Sequence, residues 1–228
     1  MDRYITEFTQ MIKLRNLVDN TLNAYISYLR CYLEYVMKTL KKLPEDITWE
    51  ELRDYILFLI DIKELSPSTI NGHISQLRFF HLYVLKKSWD QYQVPYQKVN
   101  KYLPDVLSQE ETEEFIDGIN DLKQKAVISL MYSSGLRVSE VVRLKCEDID
   151  RKKMRVRIRE SKNRAESFAI LSPRALDILE QYWYASDRPR NWLFPGQKGD
   201  SHITAQTVRM YVKNRTLDLG WNRKINCH

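Results

Sequence analysis

Between Arg3 and Val84 the apolar residues keep the three-and-four spacing of amphipathic helices, in four successive runs. The first spans Arg3–Leu14, with Ile5, Phe8, Met11 and Ile12 as its stripe. A capping signal at Asp19-Asn20 opens the second, which carries Leu22, Ile26, Leu29, Leu33 and Val36. Beside that stripe run Tyr25, Tyr28, Tyr32 and Tyr35, the pattern of a core rim, with contact to a nucleic-acid backbone as their other use. Thr48-Trp49-Glu50-Glu51 is a capping box for the third helix, with Leu52, Ile56, Leu59 and Ile60 inward. Ser66 followed by Pro67 predicts the start of the fourth, whose buried face is Ile70, Ile74, Leu77, His81 and Val84. His81 reads as a satisfied core-edge histidine, while Thr69, Asn71, Ser75, Gln76 and Arg78 fall largely on the other faces.

From Gln91 to Asp105 the periodicity stops, with Pro95 and Pro104 among polar residues, the composition of a linker. Ser108–Glu111 then forms a second capping box. Leu122–Ser134 is helical by spacing, and Gly135 stands where a left-handed residue ends a helix. Val138, Val141, Val142 and Leu144 predict a further helix beginning at once, with Arg137 in its first turn. Past Asp148-Ile149-Asp150, the residues Met154, Val156 and Ile158 alternate with Arg155, Arg157 and Arg159 over Arg151–Arg159, the period of a half-buried strand. Ser161–Arg164 makes its turn and Ser167–Leu171 returns as its partner. Ser172-Pro173 opens a helix with Leu176, Leu179 and Trp183 inward. Ile203–Leu219 is the last helix, with Arg209, Lys213 and Arg215 outside. The fold class expected is mainly α with a small antiparallel β-sheet: a helical bundle over 1–90, a linker over 91–105 and a mixed α+β domain over 106–228.

Composition narrows the function. The 228 residues are 43% hydrophobic and 29% charged, values of a globular chain with room for one large or two modest cores. The longest strongly apolar run, Tyr55–Ile60, is far too short to span a membrane, and no signal peptide is visible. Cys31, Cys146 and Cys227 are widely separated and in no metal-ligand spacing, which fits a reducing cytoplasm. The net charge of +6 is asymmetric: residues 1–97 hold 12 basic and 12 acidic side chains, residues 98–228 hold 24 and 18. A basic second half points to an anionic partner, with nucleic acid as the first candidate.

Three places carry that chemistry. Arg137, beside the free N–H groups of a helix start, could share an anion with them; the plainer reading is a surface pair with Glu140 at i,i+3. Arg155, Arg157 and Arg159 on one strand face, in a stretch with eight basic residues over 151–164, read as phosphate-binding if no counter-charges face them. The polar side of the fourth helix, with Asn71 and Arg78, suits a DNA groove or water equally.

Ser133-Ser-Gly-Leu-Arg-Val-Ser-Glu140 strongly resembles the first-arginine motif of the tyrosine recombinase (phage integrase) family, including its chromosome-dimer-resolving members. Leu103-Pro-Asp-Val-Leu-Ser-Gln-Glu-Glu111 resembles the opening of the family's catalytic domain, and Trp192-Leu-Phe-Pro195 its short apolar segment before the final helices. The resemblance implies an N-terminal core-binding bundle and a catalytic domain that together clamp a duplex. It implies strand breakage and rejoining through a covalent phosphotyrosine, with neither ATP nor metal and no other cofactor. Arg137 would be the first arginine clamp, Lys162 the general acid, Glu140 a support for Arg137, and His228 the start of the family's His-x-x-Arg motif. The family has Gly-Lys-Gly where this chain has Ser161-Lys162-Asn163, so Lys162 matches by position. Arg164, in the same turn, joins Asn71, Arg78, Arg155, Arg157 and Arg159 as a DNA-binding candidate. The implied partners are double-stranded DNA and other protomers, four on two sites in the family.

None of the 14 tyrosines occupies the family's nucleophile position, which with the second arginine would lie past residue 228. Two functions follow: a recombinase in C-terminally truncated form, monomeric for want of the final protomer-linking helix, or a DNA-binding product that recognises recombination sites without cutting them. A basic helical protein with no DNA role is the remaining alternative.

Overall fold

The computed structural model describes residues 1–16, 19–100, 105–159, 166–197, 199–223 and 225–227, of Asp19 and Asn20 the backbone alone. The chain divides into two compact units, Met1–Tyr102 and Leu103–His228.

Unit 1 holds helices α1 (Asp2–Leu14), α2 (Asp19–Glu34), α3 (Trp49–Leu57) and α4 (Pro67–Tyr83). Their apolar faces meet in a core that includes Phe8, Ile12, Leu33, Tyr55, Leu59, Leu77 and Phe80. The Thr48 capping box forms, and the Ser66 hydroxyl accepts from the Thr69 N–H ahead of Pro67. Both α2 and α3 end by widening into π-helical turns, Tyr35–Leu40 and Phe58–Ile62. α4 is buried over more of its circumference than its apolar stripe alone predicts. Gln76, placed outside by spacing, is completely buried, and His81, expected to be satisfied, has no hydrogen-bond partner on either ring nitrogen among the described residues. His81 instead lies among rings, stacked on Trp49 and edge-on to Trp89. Tyr32 belongs to the core and not to its rim.

Residues 89–97, largely within the expected linker, pack onto unit 1. Trp89 abuts the core, Val94 is buried in it, and Arg53 donates to the Gln93 side chain at 2.7 Å.

Unit 2 comprises α5 (Gln109–Asp117), α6 (Leu122–Ser134), α7 (Val138–Val141), α8 (Pro173–Ala185) and α9 (Ala205–Asp218), with strands β1 (Ile149–Asp150), β2 (Arg155–Ile158) and β3 (Ser167–Ile170). The sheet is antiparallel in the order β1-β2-β3, with Asp150 opposite Arg155 and Arg157 opposite Phe168. α6 runs through the core, buried from Ala126 to Leu130, and Gly135 ends it at φ 62°. β2 is shorter than its alternation suggests: Arg151–Met154 are turn residues, and Met154 has φ 47°. Arg215, expected outside, donates from α9 to the carbonyls of Phe115 and Glu114 at 2.9 Å, closing the C-terminal end of α5. Among the described residues, no helix is long and apolar enough to cross a membrane.

Candidate functional site

The tight turn at Gly135 delivers Leu136 into the core, 4% exposed, and leaves Arg137 outside as the residue that caps α7. Arg137 is extended, at φ −71° and ψ 153°, so it stands just before the helix and not in its first turn. Val138 and Val141 of this four-residue helix turn into the core, as do Val142 and Leu144 just after it. Glu140 reaches back to Arg137 twice. One carboxylate oxygen accepts from the Arg137 backbone N–H and the other from the guanidinium, both at 2.8 Å. The Glu140 side chain is 6% exposed and that of Arg137 is 55% exposed. A buried carboxylate therefore aims an open guanidinium, holding it through Nη1.

The strand arginines face carboxylates, so a phosphate-binding face free of counter-charges is not what the strand presents. Arg155 donates to Asp150 at 3.2 Å and lies 4.0 Å over the Phe168 ring. Arg157 donates to Asp148 at 3.1 Å and stands 3.6 Å from Glu166. Arg159 donates to Asp148 at 2.9 Å and to Glu147, and those hydrogen bonds, Asp148 first, hold its pKa above the usual guanidinium value. Asp148 itself is 1% exposed and also accepts from the Lys145 N–H at 2.8 Å. Glu147, Asp148 and Asp150 come from the segment before β2, which the antiparallel pairing of β1 with β2 brings alongside, and Glu166 stands just before β3. Asp148 is the residue that sequence reading passed over; a carboxylate leading into an arginine-rich hairpin was its available signal.

A cleft of about 340 Å³ beside these features is lined by Glu140, Arg143, Lys145, Asp148, Arg157 and Arg159. The segment after Arg137 and the arginine strand thus line the same cleft. In unit 1, Arg78 is exposed on α4. Asn71 is not open to solvent in the same way: its side-chain amide donates to the Gln97 carbonyl at 2.9 Å and accepts from the Gln97 N–H at 2.7 Å. Lys162, Arg164 and His228 lie outside the described residues.

Comparison with known proteins accords with this architecture. The phage integrase family pattern matches residues 105–228, and the phage integrase N-terminal SAM-like domain matches residues 4–91. A putative integrase/recombinase of Sinorhizobium fredii is 37% identical over 189 residues, covering 82% of this chain and 61% of the relative. A tyrosine recombinase of Thermosipho africanus is 30% identical over 223 residues, covering 93% of this chain and 77% of the relative. Among solved structures, a lambda integrase tetramer bound to a Holliday junction superposes with TM-score 0.71 at 16% identity, covering 99% of this chain and 68% of that one, a likeness of fold. This chain thus spans about three fifths of the Sinorhizobium relative's length. With its family pattern running over more than half of its residues, the chain belongs to the phage integrase family of tyrosine recombinases.

Proposed function

We propose that the chain acts in site-specific DNA recombination, gripping a duplex with both units and presenting Arg137 to the phosphate that is exchanged. The observation that carries this reading is the Arg137–Glu140 geometry, an exposed guanidinium held by a nearly buried carboxylate at the family's arginine motif. A guanidinium so held loses little rotamer freedom on meeting a phosphate and can offer paired donors to its non-bridging oxygens. In this reading Lys162 protonates the departing 5′ oxygen and His228 brackets the same phosphate. Arg78, Arg164 and the strand arginines supply contacts to the DNA backbone, with Arg155, Arg157 and Arg159 keeping their carboxylate partners. Among the described residues Asp148 engages Arg157 through Nε, so the terminal nitrogens of Arg157 can turn to a phosphate.

The activity proposed for these 228 residues is non-covalent binding of recombination-site DNA, with Arg137 at the phosphate. Additional protomers on the DNA are proposed as partners, in keeping with the assembly of the lambda integrase structure. The test is to incubate the chain with nicked duplexes that trap covalent phosphotyrosine. Mobility-shifted complexes that dissociate fully in detergent are expected. Failure to bind duplex, or a detergent-stable adduct, would contradict the reading.

A further inference from the structure

Asp148 ends a single tight turn, Cys146–Asp148, that runs straight into β1. Its N–H donates to the Lys145 carbonyl at 3.0 Å, and its Oδ2 accepts from the Lys145 N–H at 2.8 Å. Backbone and side chain are thus tied to the same residue, and the carboxylate is held in place. Pairing of β1 with β2 lays it beside the strand. Arg157 and Arg159, two positions apart and so on one face, both donate Nε–H to its Oδ1, at 3.1 and 2.9 Å. Asp148 is 1% exposed, while the Arg157 side chain is 34% exposed and lines the cleft.

A guanidinium gripped at Nε keeps its other edge, Nη1 and Nη2, whose paired donors match two oxygens of a phosphate. Among the described residues, the carboxylates that meet Arg157, Asp148 and Glu166, both do so at Nε. One carboxylate shared by two guanidiniums also leaves a balance of one positive charge, so the pairing does not cancel the strand. Glu147 and Glu166 stand nearby but are exposed, where solvent screens them. The arrangement repeats what Glu140 does for Arg137: a buried carboxylate aims an open guanidinium.

We infer that Asp148 is a positioning residue, holding Arg157 so that its open edge takes a DNA phosphate at this cleft, a second one besides that at Arg137. This rests on the DNA-binding reading above. The opposite role for an acid among arginines is to cancel their attraction for phosphate. Removing a cancelling carboxylate strengthens binding, whereas removing a positioning one weakens it, although the net charge rises by one in both cases. The two roles differ in sign.

The experiment compares the full chain with Asp148→Asn and Glu147→Gln, which carry the same change of charge, on one duplex over a range of salt. Asp148→Asn should bind at least about threefold less tightly at about 100 mM salt, with a slope smaller by about one. Glu147→Gln should bind about twofold more tightly. Equal or tighter binding by Asp148→Asn overturns the positioning role, as does a loss of the same size in Glu147→Gln. Because losing a buried carboxylate also costs stability, Arg157→Lys is the companion variant. It keeps the charge but offers a single ammonium, which Asp148 takes, so its slope should also fall by about one. An unchanged slope there overturns the inference. Without DNA, the Nε–H protons of Arg157 and Arg159 should exchange with water at least about tenfold more slowly than that of the exposed Arg78. Equal rates overturn the hold. If the unaltered chain binds no duplex, the DNA reading fails, while the exchange rates still decide whether Asp148 fixes the two guanidiniums.

Discussion

An exposed guanidinium ordinarily samples many rotamers, and at Arg137 that freedom is removed by Glu140, which grips the backbone N–H and the side chain of the same residue at 2.8 Å. The pair at i,i+3 was visible from spacing, but its worth was not: an exposed pair contributes a few tenths of a kcal/mol, whereas here one partner is buried. A second residue shows burial acting on charge. His81, 3% exposed among Trp49, Trp89 and Phe80, has its pKa pushed down to about 4 by burial, with Lys87 adding to the effect. His73 is held at about 4 by burial alone, with Tyr55 on its Nδ1. Because the folded values lie below the ordinary 6.5, the unfolded chain binds more protons between pH 6.5 and 4, and unit 1 loses stability as pH falls through that window. From pH 7 to 5 the loss should be about 2 kcal/mol for each histidine in urea unfolding, and His81→Leu should remove about half of it. An acid response unchanged in that variant would show that His81 is not held neutral. No periodicity announces such a histidine, since spacing reports the face and not the partners.

At the level of elements, signals local in sequence read correctly. Thr48–Glu51 and Ser108–Glu111 form their capping boxes, and Ser66 and Ser172 cap helices that begin on proline. What could not be read depends on distant residues. Arg155, Arg157 and Arg159 find their acids through the register of β1 against β2, and Asn71 meets Gln97 across 26 positions. Arg215 closes α5 from α9, about 100 residues away, and Gly118 makes room for it. Gly118 has an ordinary φ of −80°, so alanine suits the backbone, but a Cβ there would collide with the Arg215 guanidinium. Gly118→Ala should therefore cost about 1–3 kcal/mol by displacing Arg215 from two carbonyls, measured by thermal unfolding. Arg215→Ala should cost a similar amount, and the double variant little more than either. Additive losses would mean that Gly118 matters for another reason.

On the scale of the whole molecule, the chain builds two hydrophobic cores and differs in charge along its length, balanced over residues 1–97 and basic over 98–228. Family membership follows from the matched patterns over residues 4–91 and 105–228. What the family does with phosphates gives the charge asymmetry its proposed purpose. In that proposal basic contacts release counterions from DNA, so the logarithm of affinity falls linearly with the logarithm of salt concentration.

The most direct measurement is that slope for the unaltered chain and for Arg137→Ala on the same duplex, by fluorescence anisotropy between about 50 and 200 mM salt. The unaltered chain should weaken by roughly tenfold or more across the range, and the variant should bind less tightly with a slope smaller by about one. A flat response, or equal slopes for the two proteins, would contradict a phosphate contact at Arg137.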